Sequence, residues 1–197
     1  MTLPTQLTLV RILLTFFLMG LLFVPGWPAK LAVVAGFLVA GATDWLDGYL
    51  ARRWRQTSDL GALLDPIADK VLVLGLFLAF VQLRRVPAWM ALIIVLRELV
   101  ITGVRLFAAG RGVVLSAATE GKQKTVSQLV TIFLILAALL VDELSASQAW
   151  AAPLAPPLQL AVRGCLWITV TMTVVSGTAF FWRHSTALKD AVTKDHR

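Results

Sequence analysis

The sequence predicts an all-α fold: a polytopic membrane protein of six transmembrane helices. Three observations carry that expectation. Hydrophobic residues make up 58% of the 197, charged residues only 15%, and the mean hydropathy is +0.82. Soluble domains are about half apolar and roughly a quarter charged, so water alone is a poor solvent for this chain. Apolar runs long enough to cover the ~20 residues of a membrane-crossing helix recur along most of it. Backbone groups in hydrocarbon must be satisfied within the segment, which selects helices over isolated strands.

Taken in order, the expected spans are 7–25, 31–52, 60–82, 87–108, 124–142 and 160–182. "PGWP" divides the first two, "RRWRQTSD" the second and third, and "QLRRVP" the third and fourth. The longer stretches "GRGVVLSAATEGKQK" and "DELSASQAWAAPLAPPLQ" are expected to connect the last three. The first run, Leu7 to Val24, lacks a cleavage pattern and reads as a retained helix. No internal repeat and no linker suited to a second domain stand out, so residues 1–197 are expected to form a single integral-membrane domain.

Orientation follows from where Lys and Arg collect. One side gathers Arg52, Arg53, Arg55, Arg111, Lys122, Lys124, Arg183, Lys189, Lys194 and Arg197. The other has Lys30, Arg84, Arg85 and Arg163 with the acidic Asp142 and Glu143. The first side is expected to be cytoplasmic, with both termini there; Arg84 and Arg85 run against the trend. A net charge of +7 suits a surface facing anionic headgroups. The basic residues are scattered over loop ends rather than clustered on one soluble face, which argues against a nucleic-acid partner. Cys165, the single cysteine, cannot form an intrachain disulfide and reads as a small buried side chain. His184 and His196 lie in the polar tail and are expected to be solvated, not metal ligands.

The segment "DWLDGYLARRWRQTSDLGALLDPIADK" places four aspartates between two apolar runs. Asp44 falls eight residues before Arg52 and Asp69 nine after Leu60, so each pair reaches about 12–13 Å into its span. Asp44 and Asp47 are three apart, Asp65 and Asp69 four apart, and either spacing puts a pair on one helical face. A carboxylate at mid-membrane costs about 2.5–3.5 kcal/mol even on a lenient scale, so something positive is expected among them. Hard carboxylate oxygens suit Mg²⁺ or Mn²⁺, and four can hold one or two such ions. Two other readings stay open on spacing alone: a packing network with Arg52 or Lys70, and a proton or cation path. Gly48 and Ala51 continue the Asp44 stripe and leave room for a bulky ligand. Arg52 closes that stripe at its cytoplasmic end with a guanidinium able to fork onto a phosphate. Pro66 is expected to kink span three or to mark its regular start.

Asp44-x-x-Asp47-Gly48-x-x-Ala51-Arg52, eight residues, then Gly61-x-x-x-Asp65-x-x-x-Asp69 resembles the signature of the CDP-alcohol phosphatidyltransferases at every specified position. "LPTQLTLVRILL", "DPIADKVLV", "LRELVITGVR" and "EGKQKT" are similar to the bacterial phosphatidylglycerophosphate-forming branch, and the resemblance covers roughly residues 3 to 140. It implies a six-helix membrane enzyme, usually a homodimer. Two divalent ions would be held by Asp44, Asp47, Asp65 and Asp69, with Asp69 also the general base. Gly48, Arg52 and Ser58 would contact the CDP moiety of CDP-diacylglycerol, with Thr5 and Thr8 closing over it. Thr5 stands where many members carry Asn.

The implied reaction moves a phosphatidyl group from CDP-diacylglycerol to sn-glycerol 3-phosphate. A dianionic acceptor calls for a basic pocket, for which Arg97, Arg105, Lys122 and Lys124 are the candidates. The bland alternatives are that Arg97 pairs with Glu98 and that the lysines are positive-inside residues. Arg11 belongs either to that site or to a structural ion pair. A sister enzyme with another acceptor (inositol phosphate, serine or phosphatidylglycerol) and a cation-coupled transporter are the competing functions.

Overall fold

Every expected span folds as a helix in the computed structural model, which describes the backbone of residues 3–54, 59–111 and 119–185 and the side chains of 9–43, 70–111 and 123–185. The helices are α1 (Leu3–Leu22), α2 (Trp27–Trp54), α3 (Asp59–Gln82), α4 (Ala88–Gly110), α5 (Thr119–Ser147) and α6 (Ala155–Arg183). A short 3-10 helix, Ala149–Leu154, precedes α6. Among the described residues Gln123–Ser147 and Ala149–Arg183 are long and apolar enough to cross a membrane. Leu9–Leu22, Trp27–Thr43 and Lys70–Gln82 are shorter apolar helices.

The helices overrun the expected spans where polar residues had suggested loops. "DELSASQAWAAPLAPPLQ" is not an open connection: α5 continues to Ser147 and the chain turns through the 3-10 helix into α6. Pro156 and Pro157 sit at the start of α6, where a missing amide hydrogen leaves no bond unmade. α3 runs helically through Pro66 from Asp59, so the proline does not mark its start.

Apolar side chains face outward to an extent that water would not favour. Leu13, Phe16, Phe17, Leu106, Leu160 and Trp182 are all exposed, whereas Arg11, Lys30, Glu98, Lys124, Gln128 and Thr131 are buried. That inversion is the pattern of a bundle solvated by hydrocarbon. The interior is itself divided. Leu18, Leu22, Phe37, Leu76, Phe77 and Phe80 meet Ile94, Ile132 and Leu136 in one apolar core. It draws on the C-terminal ends of α1 and α3 and the N-terminal part of α4, so it lies away from the aspartate-bearing N-terminal part of α3.

α1 packs on both α2 and α3. Glycines permit the approach: a Cβ at Gly36 would lie 2.5 Å from Leu18 Cδ2, and one at Gly75 2.8 Å from Met19 Sδ. α5 and α6 share the most extensive interface and add hydroxyl contacts. Thr131 and Thr169 oxygens are 2.8 Å apart, and Thr169 donates to the Ser127 carbonyl at 3.1 Å.

Two expectations about single residues change. His184 is buried, not solvated: its Nδ1 lies 3.0 Å from the Phe180 carbonyl and its ring 4.7 Å from the Phe180 ring. As the residue ending α6, it covers that helix's last turn. His196 lies outside the described residues. Cys165 is half-buried on α6, and its carbonyl accepts from the Thr131 hydroxyl at 3.2 Å.

The turns at the end opposite the hairpin are held by charges. Lys30 Nζ donates to the carbonyls of Leu22 and Val24, 2.7 Å each, satisfying groups at the α1 terminus. Glu143 accepts from the Gly26 amide at 3.0 Å and lies 4.0 Å from Lys30. After α3 the Arg84 amide bonds the Val81 carbonyl at 3.0 Å and the Arg85 amide the Phe80 carbonyl at 2.8 Å. This is a Schellman cap with Arg84 at φ 56, where glycine is the usual occupant. An L side chain in that region costs about 1 kcal/mol. Arg84→Gly is therefore expected to stabilise the purified protein by about 1 kcal/mol, read as a higher midpoint in thermal or SDS unfolding.

Candidate functional site

The backbone puts Asp44 and Asp47 on the C-terminal part of α2 and Asp65 and Asp69 on the N-terminal part of α3. Asp44 lies ten residues before Trp54 and Asp69 ten after Asp59, about 15 Å along either helix. Each pair keeps the i,i+3 or i,i+4 spacing that shares a face. Gly48 and Arg52 follow on α2, and Thr5 and Thr8 lie on α1, the helix that packs on both. Side-chain placement for Thr5, Thr8, Asp44, Asp47, Arg52, Asp65, Asp69 and Lys122 lies outside the described residues, as does Ser58 altogether.

One residue beyond Asp69 the side chains are described, and there a cavity of about 220 Å³ opens. Lys70, Val73 and Leu74 of α3 line it, with Glu98 of α4 and Lys124, Thr125 and Gln128 of α5. Its lining combines apolar, polar and charged side chains. Lys124 and Gln128, four apart, present from one face of α5.

Glu98 organises this region. Its Oε1 takes an ion pair from Lys124 and a hydrogen bond from Arg97 at 3.2 Å. Arg97 also donates to the Ser176 hydroxyl at 3.2 Å, so a single cluster fastens α4 to α5 and α6. Gly177 gives the arginine stem room, since a Cβ there would sit 3.4 Å from Arg97 Cγ. Arg105 lies two turns further along α4, its guanidinium carbon 5.4 Å from the centre of the Phe180 ring.

Four side chains were candidates for an acceptor phosphate, and the structure treats them differently. Lys124 lines the cavity. Arg97 joins it through Glu98, which is also the pairing that the bland reading had offered. Arg105 is held against Phe180 and is not among the lining residues. The side chain of Lys122, the fourth, lies outside the described residues, and Arg11, a residue apart from these four, is buried in α1.

Sequence reasoning passed over Glu98 as a shared partner, and over Lys70, Thr125 and Gln128 as lining. The Lys124–Gln128 spacing was a usable signal; the convergence of α4 with α5 was not visible in one dimension.

The cluster is arranged to receive negative charge. Two cations, Lys124 and Arg97, share one carboxylate. Among the described residues Arg97 Nε, Arg105 Nε and Gln128 Nε2 are buried donors with no hydrogen-bond acceptor. Buried donors without partners are uncommon in native proteins, and the oxygens of a phosphate are the acceptors they match.

The sequence profile of the CDP-alcohol phosphatidyltransferases matches residues 1–175. A Bacillus subtilis (strain 168) protein named CDP-diacylglycerol–glycerol-3-phosphate 3-phosphatidyltransferase is 37% identical over 199 residues, covering 95% of this chain and 97% of its own length. The Escherichia coli K12 protein of the same name is 38% identical over 138 residues, 68% of this chain and 75% of that one. An Arabidopsis thaliana protein named as the second such enzyme is 37% identical over 151 residues, 69% of this chain and 64% of its own. With a match over most of its length and an unbroken motif on α2 and α3, the chain belongs to the CDP-alcohol phosphatidyltransferase family.

Proposed function

We infer that this chain transfers the phosphatidyl group of CDP-diacylglycerol to the 1-hydroxyl of sn-glycerol 3-phosphate, giving phosphatidylglycerophosphate and CMP. The observation that carries this is the end-to-end likeness to the Bacillus subtilis enzyme of that name. The cationic cluster around Glu98 supports it, because a phosphorylated acceptor needs such a cluster and a neutral alcohol does not.

The donor set on α2 and α3 is four carboxylates, which fits one or two Mg²⁺ or Mn²⁺ ions held by Asp44, Asp47, Asp65 and Asp69. Bound there, the ions would supply neutralisation of the diphosphate and of charge on the departing CMP oxygen. Arg52 and Ser58 bind the CMP portion, Gly48 leaves space beside it, and Thr5 and Thr8 close over it from α1. Asp69 takes the proton of the acceptor hydroxyl. That oxygen bonds to the phosphorus bearing diacylglycerol as the bond to the CMP oxygen breaks. Lys124 and Arg97, oriented by Glu98, hold the acceptor's own phosphate, with Arg105 and Lys122 supplementing the field. Positioning and electrostatics carry most of such a phosphoryl transfer.

The chain crosses the cell membrane six times as α1–α6, with the aspartate hairpin and both termini cytoplasmic, and acts as a homodimer. The excess of Lys and Arg at the hairpin end supports the orientation, and the family resemblance supports the dimer.

Four outcomes test this. Purified protein given CDP-diacylglycerol and Mg²⁺ or Mn²⁺ is expected to release CMP with glycerol 3-phosphate and not with inositol phosphate, serine or phosphatidylglycerol. EDTA is expected to abolish release; turnover with a different alcohol would move the chain to a sister activity. Asp69→Asn is expected to leave metal binding, measured calorimetrically, largely intact while removing turnover, and wild-type rates in that variant would remove Asp69 as the base. Lys124→Ala is expected to raise KM for glycerol 3-phosphate at least about tenfold, equivalent to about 1.4 kcal/mol, with KM for CDP-diacylglycerol little changed.

A further inference from the structure

A second cavity, larger than the one lined by Lys70 and Lys124, lies at the opposite end of the bundle from the aspartates. About 660 Å³ in volume, it begins at Val81, twelve residues and about 18 Å along α3 from Asp69. Val86, Met90, Val162 and Leu166 give it an apolar wall, and Arg84, Arg85 and Arg163 place three guanidinium groups around it.

Those charges are not equivalent. Arg85 is bound to Asp142 at 2.6 Å, and Asp142 also accepts from Gln159 at 3.4 Å. Glu143, the other acid at this end, is committed to the Gly26 amide and Lys30. Both nearby carboxylates are therefore taken, and Arg84 and Arg163 have no ion pair among the described residues. Their presence also runs against the distribution of positive charge, which otherwise favours the hairpin end.

Arg84 has a second peculiarity. It occupies the left-handed position of the α3 cap, φ 56, where glycine would relieve the backbone. Strained positions of this kind concentrate where a side chain is put to use.

The depth is fixed by tryptophans. Trp89 and Trp167, the latter lining the cavity, lie 5.6 Å apart. Trp27 and Trp150 mark the same end and are exposed. Tryptophan gathers at the headgroup level of a bilayer. An apolar wall running inward from a rim of guanidinium groups has the polarity profile of one phospholipid.

We propose that this cavity binds the phosphate headgroup of an anionic phospholipid from the leaflet opposite the aspartate hairpin. Arg84 and Arg163 take the phosphate oxygens, Arg85 stays on Asp142 and frames the site, and the upper acyl segment lies against Met90, Val162 and Leu166. The site holds a structural lipid, not a reactant, because it is separated from the aspartates by the apolar core. It rests on the placement of the cavity and not on the acceptor assigned above.

The test uses the full chain in detergent, stripped of lipid and titrated with phosphatidic acid, with retained lipid counted by native mass spectrometry. Wild type is expected to retain one more phosphatidic acid than Arg84→Ala/Arg163→Ala, with at least tenfold weaker retention of that molecule in the variant. Phosphatidylcholine is expected to be retained poorly, and 10 mM inorganic phosphate to leave the lipid in place. CMP release in the double variant is expected to match wild type, which shows it to be folded. Arg84→Gly supplies a second control, since it is expected to lose the lipid while unfolding at a higher temperature.

Equal retention by wild type and variant would overturn the proposal. Displacement by inorganic phosphate would do so in favour of a free-anion site, and equal retention of phosphatidylcholine in favour of a simple apolar groove. Loss of dimer in the variant without loss of lipid would assign the face to a second copy of the chain.

Discussion

Much of the interior is organised by one carboxylate shared between two cations. Glu98 is buried among apolar helices, and an isolated charge there would be costly. Lys124 and Arg97 offset that cost, and Glu98 in turn pairs both buried cations. The cluster draws α5 toward α4, and Arg97 carries the connection to Ser176 on α6. Three helices with mostly apolar surfaces have little reason to choose one register when their solvent is equally apolar. A few polar contacts that must be satisfied supply the choice, and the hydroxyls of Thr131 and Thr169 extend it along the α5–α6 seam.

The helices were legible in the chain because apolar runs and turn residues report directly on solvent and backbone. What was hard to read was anything decided by a partner on another helix. The stretch after Val141 looked like a loop because Asp142, Glu143 and Gln159 are polar. Asp142 is instead held by Arg85 and Gln159, and Glu143 by Lys30 and the Gly26 amide, so helical structure persists through most of it. His184 looked solvated for the same reason, yet it folds onto Phe180.

The aspartates illustrate the reverse case. Their spacing on α2 and α3 could be read from sequence, because a helix converts i,i+3 and i,i+4 into shared faces without outside help. Beyond them the legibility falls away. Nothing in "LRELV" indicates that the glutamate will face a lysine 26 positions later, and nothing in "QLRRVP" indicates that one arginine will be paired while its neighbour caps a helix in a left-handed conformation. Those outcomes belong to packing.

The division of the bundle into a polar half and an apolar half also bears on energy conservation in the cell. A membrane that stores a voltage exacts about 2.3 kcal/mol per elementary charge per 100 mV. Any protein that admits charged substrates deep into that membrane creates a possible leak. Here Leu76, Phe77, Phe80, Ile94, Ile132 and Leu136 pack together in the half of the bundle away from the aspartates. A polar chamber closed at one end by packed side chains admits ions and returns them to the same compartment. Such packing is what an insulator in a charged membrane requires, and what a transporter would have to open.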